Sequence, residues 1–356
     1  MNVVRFGDVV KRVNINVDRF NTDRLYYVGK GGSIEPGALE VYPKALIKGA
    51  TIGFKFHFGF NPGHILFMSR CFDQHKAATA TFAGICSDST YVVETRDENI
   101  LSQRYLQLVM QSDHFWNWCE EHKSGGVNYL INYSTLNEYE FTLPPLSEQK
   151  ALAEKLWAAY EVKQSYLKMI AATEEMVKSQ FVEMFGDTHQ QGEQSQQWKE
   201  VVTIVNGKDY KSIQVSSGGY PVFGTGGEMA RASEYLCPEN SVLLGRKGTI
   251  DKPLLIKEKY WNVDTAFGAI PNNSVLDYIY FYWHCKSIDF KSLNKGAVLP
   301  STTKADLLNL WIKIPEMKRQ KEFAAIVEQS DKSLFELKKS IAAIDGVIKS
   351  LINEKM

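Results

Sequence analysis

The side chains of this sequence that could do chemistry fall into a few sets, most of which lack the spacing their chemistry needs. Two glycine-rich runs, FGTGGE (Gly224, Gly226 and Gly227) and GRKGT (Gly245, Arg246, Lys247, Gly248 and Thr249), have the composition of phosphate loops. Neither satisfies the spacing G-x-x-x-x-G-K-[ST] with which backbone amides and a lysine wrap a triphosphate, so both are read as turns. A base methyltransferase would carry a glycine-rich cofactor loop after a strand and an asparagine-proline-aromatic motif. The nearest string, Asn61-Pro62-Gly63, has glycine where a ring would stack on a flipped base, and it is assigned to a turn. The seven histidines show no metal-ligand pairing. Cys71, Cys86, Cys119, Cys237 and Cys285 are odd in number and never form C-x-x-C, which argues against a zinc site or a disulfide framework and for buried or incidental thiols.

The remaining set consists of hydrogen-bond donors on predicted loops: Lys44, Lys48, Arg70, Tyr129, Asn132, Lys208, Lys211, Arg246, Lys247, Lys252, Lys295, Ser301, Thr302, Thr303 and Lys304. The planar fork of arginine pairs bidentately with guanine, whereas lysines and hydroxyls more often fix phosphates. For any one of them a solvated surface role competes equally. Arg70 and Arg246 stand out because each follows a predicted strand at matching positions of a repeat, where a shared structural salt bridge is the alternative. Tyr129, Asn132, Ser301 and Thr302 lie in the loop before the last strand of each half, which either reaches a base or phosphate or closes the domain.

Charge limits how such donors could work. The chain has 41 basic and 41 acidic residues and no net charge. Residues 1 to 145 carry 14 basic and 15 acidic side chains, and residues 188 to 315 carry 14 and 12, so a DNA-facing surface must be a local patch. A chain this neutral needs a partner for further phosphate contacts, since nonspecific affinity scales with phosphates neutralised. The 44% apolar share with 12% aromatics is that of a folded protein of two or three domains. No apolar run reaches bilayer length and the N-terminus lacks a signal-peptide core, so a cytoplasmic location is expected.

These donors are positioned by a duplicated unit. SGGVNYLINYSTLNEYEFTLPPLSEQKALAEKL matches KGAVLPSTTKADLLNLWIKIPEMKRQKEFAAIV without a gap at an offset of 171, placing Leu136 on Leu307, Pro144 on Pro315 and Gln149 on Gln320. At an offset of 176, GHILFMSR matches ENSVLLGR, with Arg70 on Arg246 and Tyr91 on Phe267. RFGDVVKRVN matches QWKEVVTIVN, with Phe6 on Trp198 and Asn14 on Asn206. The short runs ATIGF, ILFM, YVV, SVLL and PLLI read as strands, and NILSQRYLQLVMQSDHFWNWCEEH and VLDYIYFYWHCKSIDFKSLN as one helical stretch per half. The fold class is therefore α/β (α+β): two similar mixed domains over residues 1–145 and 188–315.

Each unit closes on a proline-marked turn, LPPLSEQ or IPEMKRQ, followed by a long helix, over 146–187 and 316–356, with Ser147 as the expected N-cap of the first. In the second helix Phe323, Val327, Ser330, Leu334, Leu337, Ile341, Ile344, Ile348 and Leu351 alternate steps of four and three, a coiled-coil seam. The first helix supplies a more polar stripe through Leu156, Tyr166, Ile170 and Val177. An antiparallel pair of the two is the expectation, with a dimerising coiled coil as the alternative. Helices of 36 to 39 residues run about 55 Å, comparable with about 16 base pairs. Two such readers suit the two halves of a split, asymmetric DNA site.

The whole layout, with LPPLSEQ leading a helix that ends SQFVEMFGD and the phrases VLLGRKGTIDKP, WNVDTAFGAI and LPSTTKADLLNLWIKIP, resembles the specificity subunit of type I restriction-modification enzymes. The resemblance implies two target recognition domains on double-stranded DNA and helices that dock two modification subunits and, through them, restriction subunits. It also implies no catalysis and no cofactor in this chain, with S-adenosylmethionine, magnesium and ATP on the partners. The chain is somewhat short for the family and its second helix stops soon after Leu351, which leaves the spacer geometry open. A methyltransferase acting alone and a noncatalytic protein-binding scaffold are the rival readings.

Overall fold

Continuous apolar runs without polar alternation become strands buried on both faces, and this explains the centre of each unit. The structure is a computed structural model that describes residues 2–29, 34–70, 74–126, 129–293 and 301–353, so Lys295 and Cys71 lie outside the described residues. The chain divides into two units, Met1–Lys168 with Lys338–Met356, and Met169–Leu337.

The first unit holds strands β1 (Asn2–Arg5), β2 (Val10–Arg12), β3 (Ile15–Asn16), β4 (Tyr26–Val28), β5 (Glu40–Val41), β6 (Ala45–Leu46), β7 (Phe56–Phe60), β8 (Ile65–Met68), β9 (Ala77–Ala80), β10 (Gly84–Ser87), β11 (Thr90–Thr95) and β12 (Glu140–Leu143), with helices α1 (Phe6–Val9), α2 (Gln103–Val109), α3 (Asp113–Glu121) and α4 (Tyr133–Leu136). One sheet runs β2-β11-β8-β9-β5, a second runs β3-β7-β10-β4-β6, and β1 pairs with β12. Along β8 and β11 alternate residues serve two cores. Ile65, Phe67, Tyr91 and Val93 pack with the helices, whereas Leu66 and Val92 join Val28, Phe60 and Cys86 of the second sheet.

The long helix α5 (Leu146–Phe185) joins this unit to the next. The second unit holds strands β13 (Ser195–Gln197), β14 (Val202–Asn206), β15 (Gln214–Val215), β16 (Tyr220–Gly224), β17 (Gly227–Ala232), β18 (Ser241–Gly245), β19 (Leu254–Ile256), β20 (Trp261–Asn262), β21 (Ala266–Pro271) and β22 (Trp311–Lys313), with helices α6 (Trp198–Val201), α7 (Tyr278–Ser287) and α8 (Lys304–Leu308) and the long α9 (Met317–Asn353). Its sheets run β14-β21-β18-β19 and β15-β17-β16-β20, and β13 pairs with β22. The two units thus repeat one plan. Phe6 and Trp198 are both fully buried and donate their backbone N–H to Tyr139 and Leu310 respectively.

The seam positions of both helices are buried or half-buried. Leu156, Val177, Phe323 and Val327 are buried, and Tyr166, Ile170, Leu334, Leu337, Ile341, Ile344, Ile348 and Leu351 are half-buried. Within the first unit Ile348 and Ile352 pack into the core that holds Leu152 and Leu156, and Lys163 Nζ meets Asp345 Oδ1 at 2.6 Å. Within the second, Phe181 and Phe185 pack on Phe323 at 5.3 and 5.6 Å between ring centres. In each unit the pairing is antiparallel.

A buried glutamine fastens each long helix to its unit. Gln149 donates through Nε2 to the carbonyls of Ile100 and Pro144 at 2.9 Å, and its Oε1 accepts from Ser102 N at 3.0 Å. Gln320 does the same in the second unit, donating to Val275 O at 2.9 Å and Pro315 O at 2.8 Å and accepting from Asp277 N at 2.8 Å. Ser102 and Asp277 are the N-cap residues of α2 and α7.

Three local expectations are corrected. ATIGF is not a strand: Gly49 turns the chain at φ +83°, Thr51, Gly53 and Phe54 are exposed, and the strand begins only at Phe56. The helical stretch of the first half breaks into α2 and α3, because the Ser112 side chain accepts from Phe115 N and starts a new helix. Ser147 lies inside α5, whose first turn closes on the Pro145 carbonyl, accepting from Glu148 and Gln149 N–H.

Candidate nucleic-acid interface

In the second unit the end of β18, the end of β14 and the start of α8 converge. Arg246, Lys247, Ser301, Thr302, Thr303 and Lys304 line one cavity of about 270 Å³ together with Asn206 and Phe267. Gly245 must be glycine here, since a Cβ would meet the Thr249 carbonyl oxygen at 2.1 Å, and Gly248 turns the chain at φ +80°. The GRKGT run is therefore a turn that aims two cations, while FGTGGE forms the tip of the β16–β17 hairpin, closed by the Gly224–Gly227 pair.

The cavity is held by its own polar groups. The Thr302 hydroxyl is buried and donates to Gly245 O at 2.8 Å, and Thr302 N donates to Arg246 O at 3.0 Å. Thr303 caps α8, its Oγ1 accepting from Asp306 N at 3.1 Å and donating to Asp306 Oδ2 at 2.7 Å. These two hydroxyls serve the wall, which corrects the expectation that they are offered as donors. The cations are different. The Arg246 guanidinium lies with Cζ 5.7 Å from the centre of the Phe267 ring and makes one long bond, Nη1 to Asp264 O at 3.3 Å. Lys247 and Lys304 are exposed, and among the described residues no carboxylate lines the cavity. The arrangement gathers positive charge and a guanidinium fork on a neutral chain and suits phosphates and base edges.

The other candidates are scattered. Lys211 lines a separate cavity of about 740 Å³ with Asp209, Glu228 and Asp264, where carboxylates offset it. Lys208 uses its backbone, donating to Asn262 O at 3.0 Å and accepting from Trp261 Nε1 at 2.9 Å, and its side chain is exposed, as is that of Lys252. In the first unit Lys44 is paired with Glu35 at 2.7 Å, which lowers the Glu35 pKa, and Lys48 is exposed beyond β6. The Tyr129 ring packs under Lys123 Nζ at 4.4 Å, and Asn132 Nδ2 donates to Ser124 Oγ at 3.0 Å. Exposed Arg70 bridges to Leu130 of that same loop. No group of three or more His, Cys, Asp or Glu that could hold a metal ion occurs among the described residues.

The strand register changes which residues correspond. Tyr91 pairs with Phe67 and Phe267 with Leu244, and the bridges Arg70–Leu130 and Lys247–Ser301 are equivalent. Arg70 therefore matches Lys247, and Arg246 matches Ser69, one residue away from the sequence alignment. An ungapped alignment of two strands carries no information on the loop between them, where the extra residue enters. The place over the ring is nevertheless filled in the first unit: Arg12 Cζ lies 4.7 Å from the centre of Tyr91, 5.2 Å from Phe58 and 5.7 Å from Tyr133. Sequence reasoning missed Arg12 because only donors on predicted loops were considered and this one sits on strand β2; the signal was a charged residue opposite Ile204 in the repeat.

Among known proteins, the model of the type I restriction modification DNA specificity domain matches residues 1–165 and 193–344. No curated protein matches the chain. A type I restriction-modification system S subunit from M. genitalium has a similar fold, with a TM-score of 0.64, 14% identity and coverage of 99% of this chain and 94% of that one. A chain from a structure concerned with complex assembly and conformational transition of the type I R-M system gives a TM-score of 0.59 at 18% identity, covering 99% and 96%. With the domain matched twice and a fold shared over nearly its full length, the chain belongs to the type I restriction-modification DNA specificity family.

Proposed function

We propose that this specificity subunit reads the two halves of a split, asymmetric DNA sequence, one with each unit, and is itself noncatalytic. The recognition domains are assigned to residues 1–145 and 188–315 and the helical segments to 146–187 and 316–356. The observation that carries the reading is the convergence of Arg246, Lys247 and Lys304 on one cavity of a chain without net charge. Arg246 supplies the base-reading fork and the two lysines fix phosphates, with Ser301 at the rim. Methyl transfer and cleavage, with S-adenosylmethionine, magnesium and ATP, belong to two modification subunits and the restriction subunits docked through the helices. The helices offer exposed apolar side chains for such partners: Val182 is 58% exposed, Phe335 66% and Val347 52%. No helix among the described residues is long and apolar enough to cross a membrane, which agrees with a cytoplasmic assembly.

The test is co-expression with the modification subunit encoded beside it, followed by sequencing-based detection of methylated bases in host DNA. Methylation at a two-part motif that vanishes without this chain is the expected result. A stable complex that methylates no defined motif would favour the scaffold reading. In the assembled complex, replacing Arg246 and Lys247 together by alanine should weaken cognate binding by about 1–3 kcal/mol per lost base contact. Unchanged affinity would remove the cavity from the interface.

A further inference from the structure

We propose that Arg12, on strand β2, is the guanidinium with which the first unit meets DNA, in the place that Arg246 holds in the second unit. The inference rests on the reading of the Arg246 cavity as a DNA contact and extends it to a residue on a different strand.

The two units exchange an arginine between the two strands that flank β11 in one and β21 in the other. Tyr91 and Phe267 occupy the same position on β11 and β21, each facing the helical core and each buried. In the second unit Arg246 follows β18 two residues after Leu244, the partner of Phe267, and so shares the face of that ring. The equivalent residue of the first unit is Ser69, whose short side chain is 3% exposed and donates to Ser89 O at 2.8 Å. That leaves the space over Tyr91 to a side chain from the next strand. Arg12 pairs with Val93 on β11, which puts it diagonal to Tyr91 and on its face. The matching position of the second unit is Ile204, 3% exposed in the core beneath Phe267. Arginine with serine in one unit therefore answers isoleucine with arginine in the other.

Arg12 is half-buried among three rings, yet among the described residues its guanidinium has no hydrogen-bond or ion-pair partner, although a guanidinium carries five donors. The neighbouring cations are engaged: Lys11 pairs with Glu94 at 3.1 Å and Arg96 donates to Gly7 O at 3.0 Å. A fork stacked on aromatic faces is held in orientation at little entropic cost, which is what bidentate recognition of guanine or of a phosphate needs. Tyr133, at the start of α4, stands where Lys304 stands at the start of α8, so the first site combines two cations, Arg12 and Arg70, with stacking rings where the second combines three cations.

The experiment uses the complex with the modification subunit and the duplex it methylates. Arg12→Gln, Arg70→Gln and Arg246→Gln are compared for affinity on the cognate duplex and on duplexes scrambled in one half. Arg12→Gln is expected to lose about ten- to a hundredfold on the cognate duplex, to become indifferent to the half read by the first unit and to keep its discrimination in the other half. In a second measurement, which needs no variant, an arginine-specific dicarbonyl reagent labels the wild-type complex with and without DNA, and mass spectrometry should find Arg12 shielded by the cognate duplex. Full affinity of Arg12→Gln alongside a weakened Arg246→Gln, or equal labelling of Arg12 with and without DNA, overturns the proposal and leaves the reading of the second unit standing. Full affinity of both variants overturns that reading as well.

Discussion

Replacing Gln320 by leucine keeps the volume of a fully buried side chain while removing three hydrogen bonds. The substitution strands one donor, Asp277 N–H, and two acceptors, the carbonyls of Val275 and Pro315. A buried polar group left without a partner costs about 1–3 kcal/mol, the N–H more reliably than a carbonyl that can find a second donor. The expected loss is therefore about 3–5 kcal/mol, against about 1 kcal/mol for an apolar swap in which no polar group was stranded. The second unit spans Met169–Leu337, and at about 2–4 °C per kcal/mol for a unit of this size the loss lowers its melting temperature by roughly 6–20 °C. Differential scanning calorimetry of the isolated full chain reads this shift, and Gln149→Leu should produce a loss of the same size in the transition of the first unit, since its three partners and distances correspond. A shift below about 1 °C for Gln320→Leu would refute the reasoning, because it would mean that the three groups are satisfied without the glutamine.

Two other outcomes follow from buried titratable groups. His284 accepts from Trp198 Nε1 at 3.2 Å through Nε2, so its proton sits on Nδ1 and donates to Thr188 Oγ1 at 2.8 Å; full burial, with His189 beside it, holds its pKa well below the ordinary value. Only the unfolded chain then binds a proton near pH 6.5, so stability is flat above about pH 7.5 and falls by up to about 1.4 kcal/mol per pH unit as the pH drops through 6.5. Denaturant titrations of wild type and His284→Gln between pH 5.5 and 7.5 should show this slope reduced in the variant, and an unchanged slope would exclude His284 as its source. Burial pushes the Cys86 thiol up to about 12 and Cys237 up to about 11, and raises Cys119 and Cys285. None of these four should be alkylated in the native chain at pH 8, as peptide mapping would reveal, whereas all four react in denaturant.

Most of the architecture was legible because it rests on periodicity. The steps of four and three in α9 specify a seam that is buried at Phe323, Val327 and Ser330 and half-buried from Leu334 to Leu351, and the ungapped match of Gln149 to Gln320 marks the two clamps before any contact is known. Boundaries were less legible. Ser112 breaks a continuous apolar stretch by a single side-chain cap, and ATIGF has strand composition but no sheet to bury it. The candidate site was half legible: Arg246, Lys247 and Ser301 to Lys304 lie far apart in sequence, yet both segments were marked by the repeat, and the structure gathers them in one cavity. The roles of Thr302 and Thr303 were not legible, because a hydroxyl in a loop looks the same whether it faces solvent or a carbonyl.

The Arg12 and Arg246 exchange shows why a duplicated fold need not read the same bases twice. In both units the ring on β11 or β21 fixes the floor, but the side chain above it enters from β2 in one and from the end of β18 in the other. A guanidinium reaching the same point from a different strand presents its fork at a different angle, and bidentate pairing is sensitive to that angle. Two substitutions, one on each side of the strand that carries the ring, are enough to change the direction of a donor. Specificity can therefore diverge between the units while the buried residues, the clamp glutamines and the helical seam stay alike. On this argument the double replacement Arg12→Ile with Ser69→Arg, which copies the second unit's pattern into the first, should retain binding to DNA but alter the base preference of that half-site, as sequencing of methylated DNA would reveal. An unaltered preference would mean that the angle of the fork does not set the base read there.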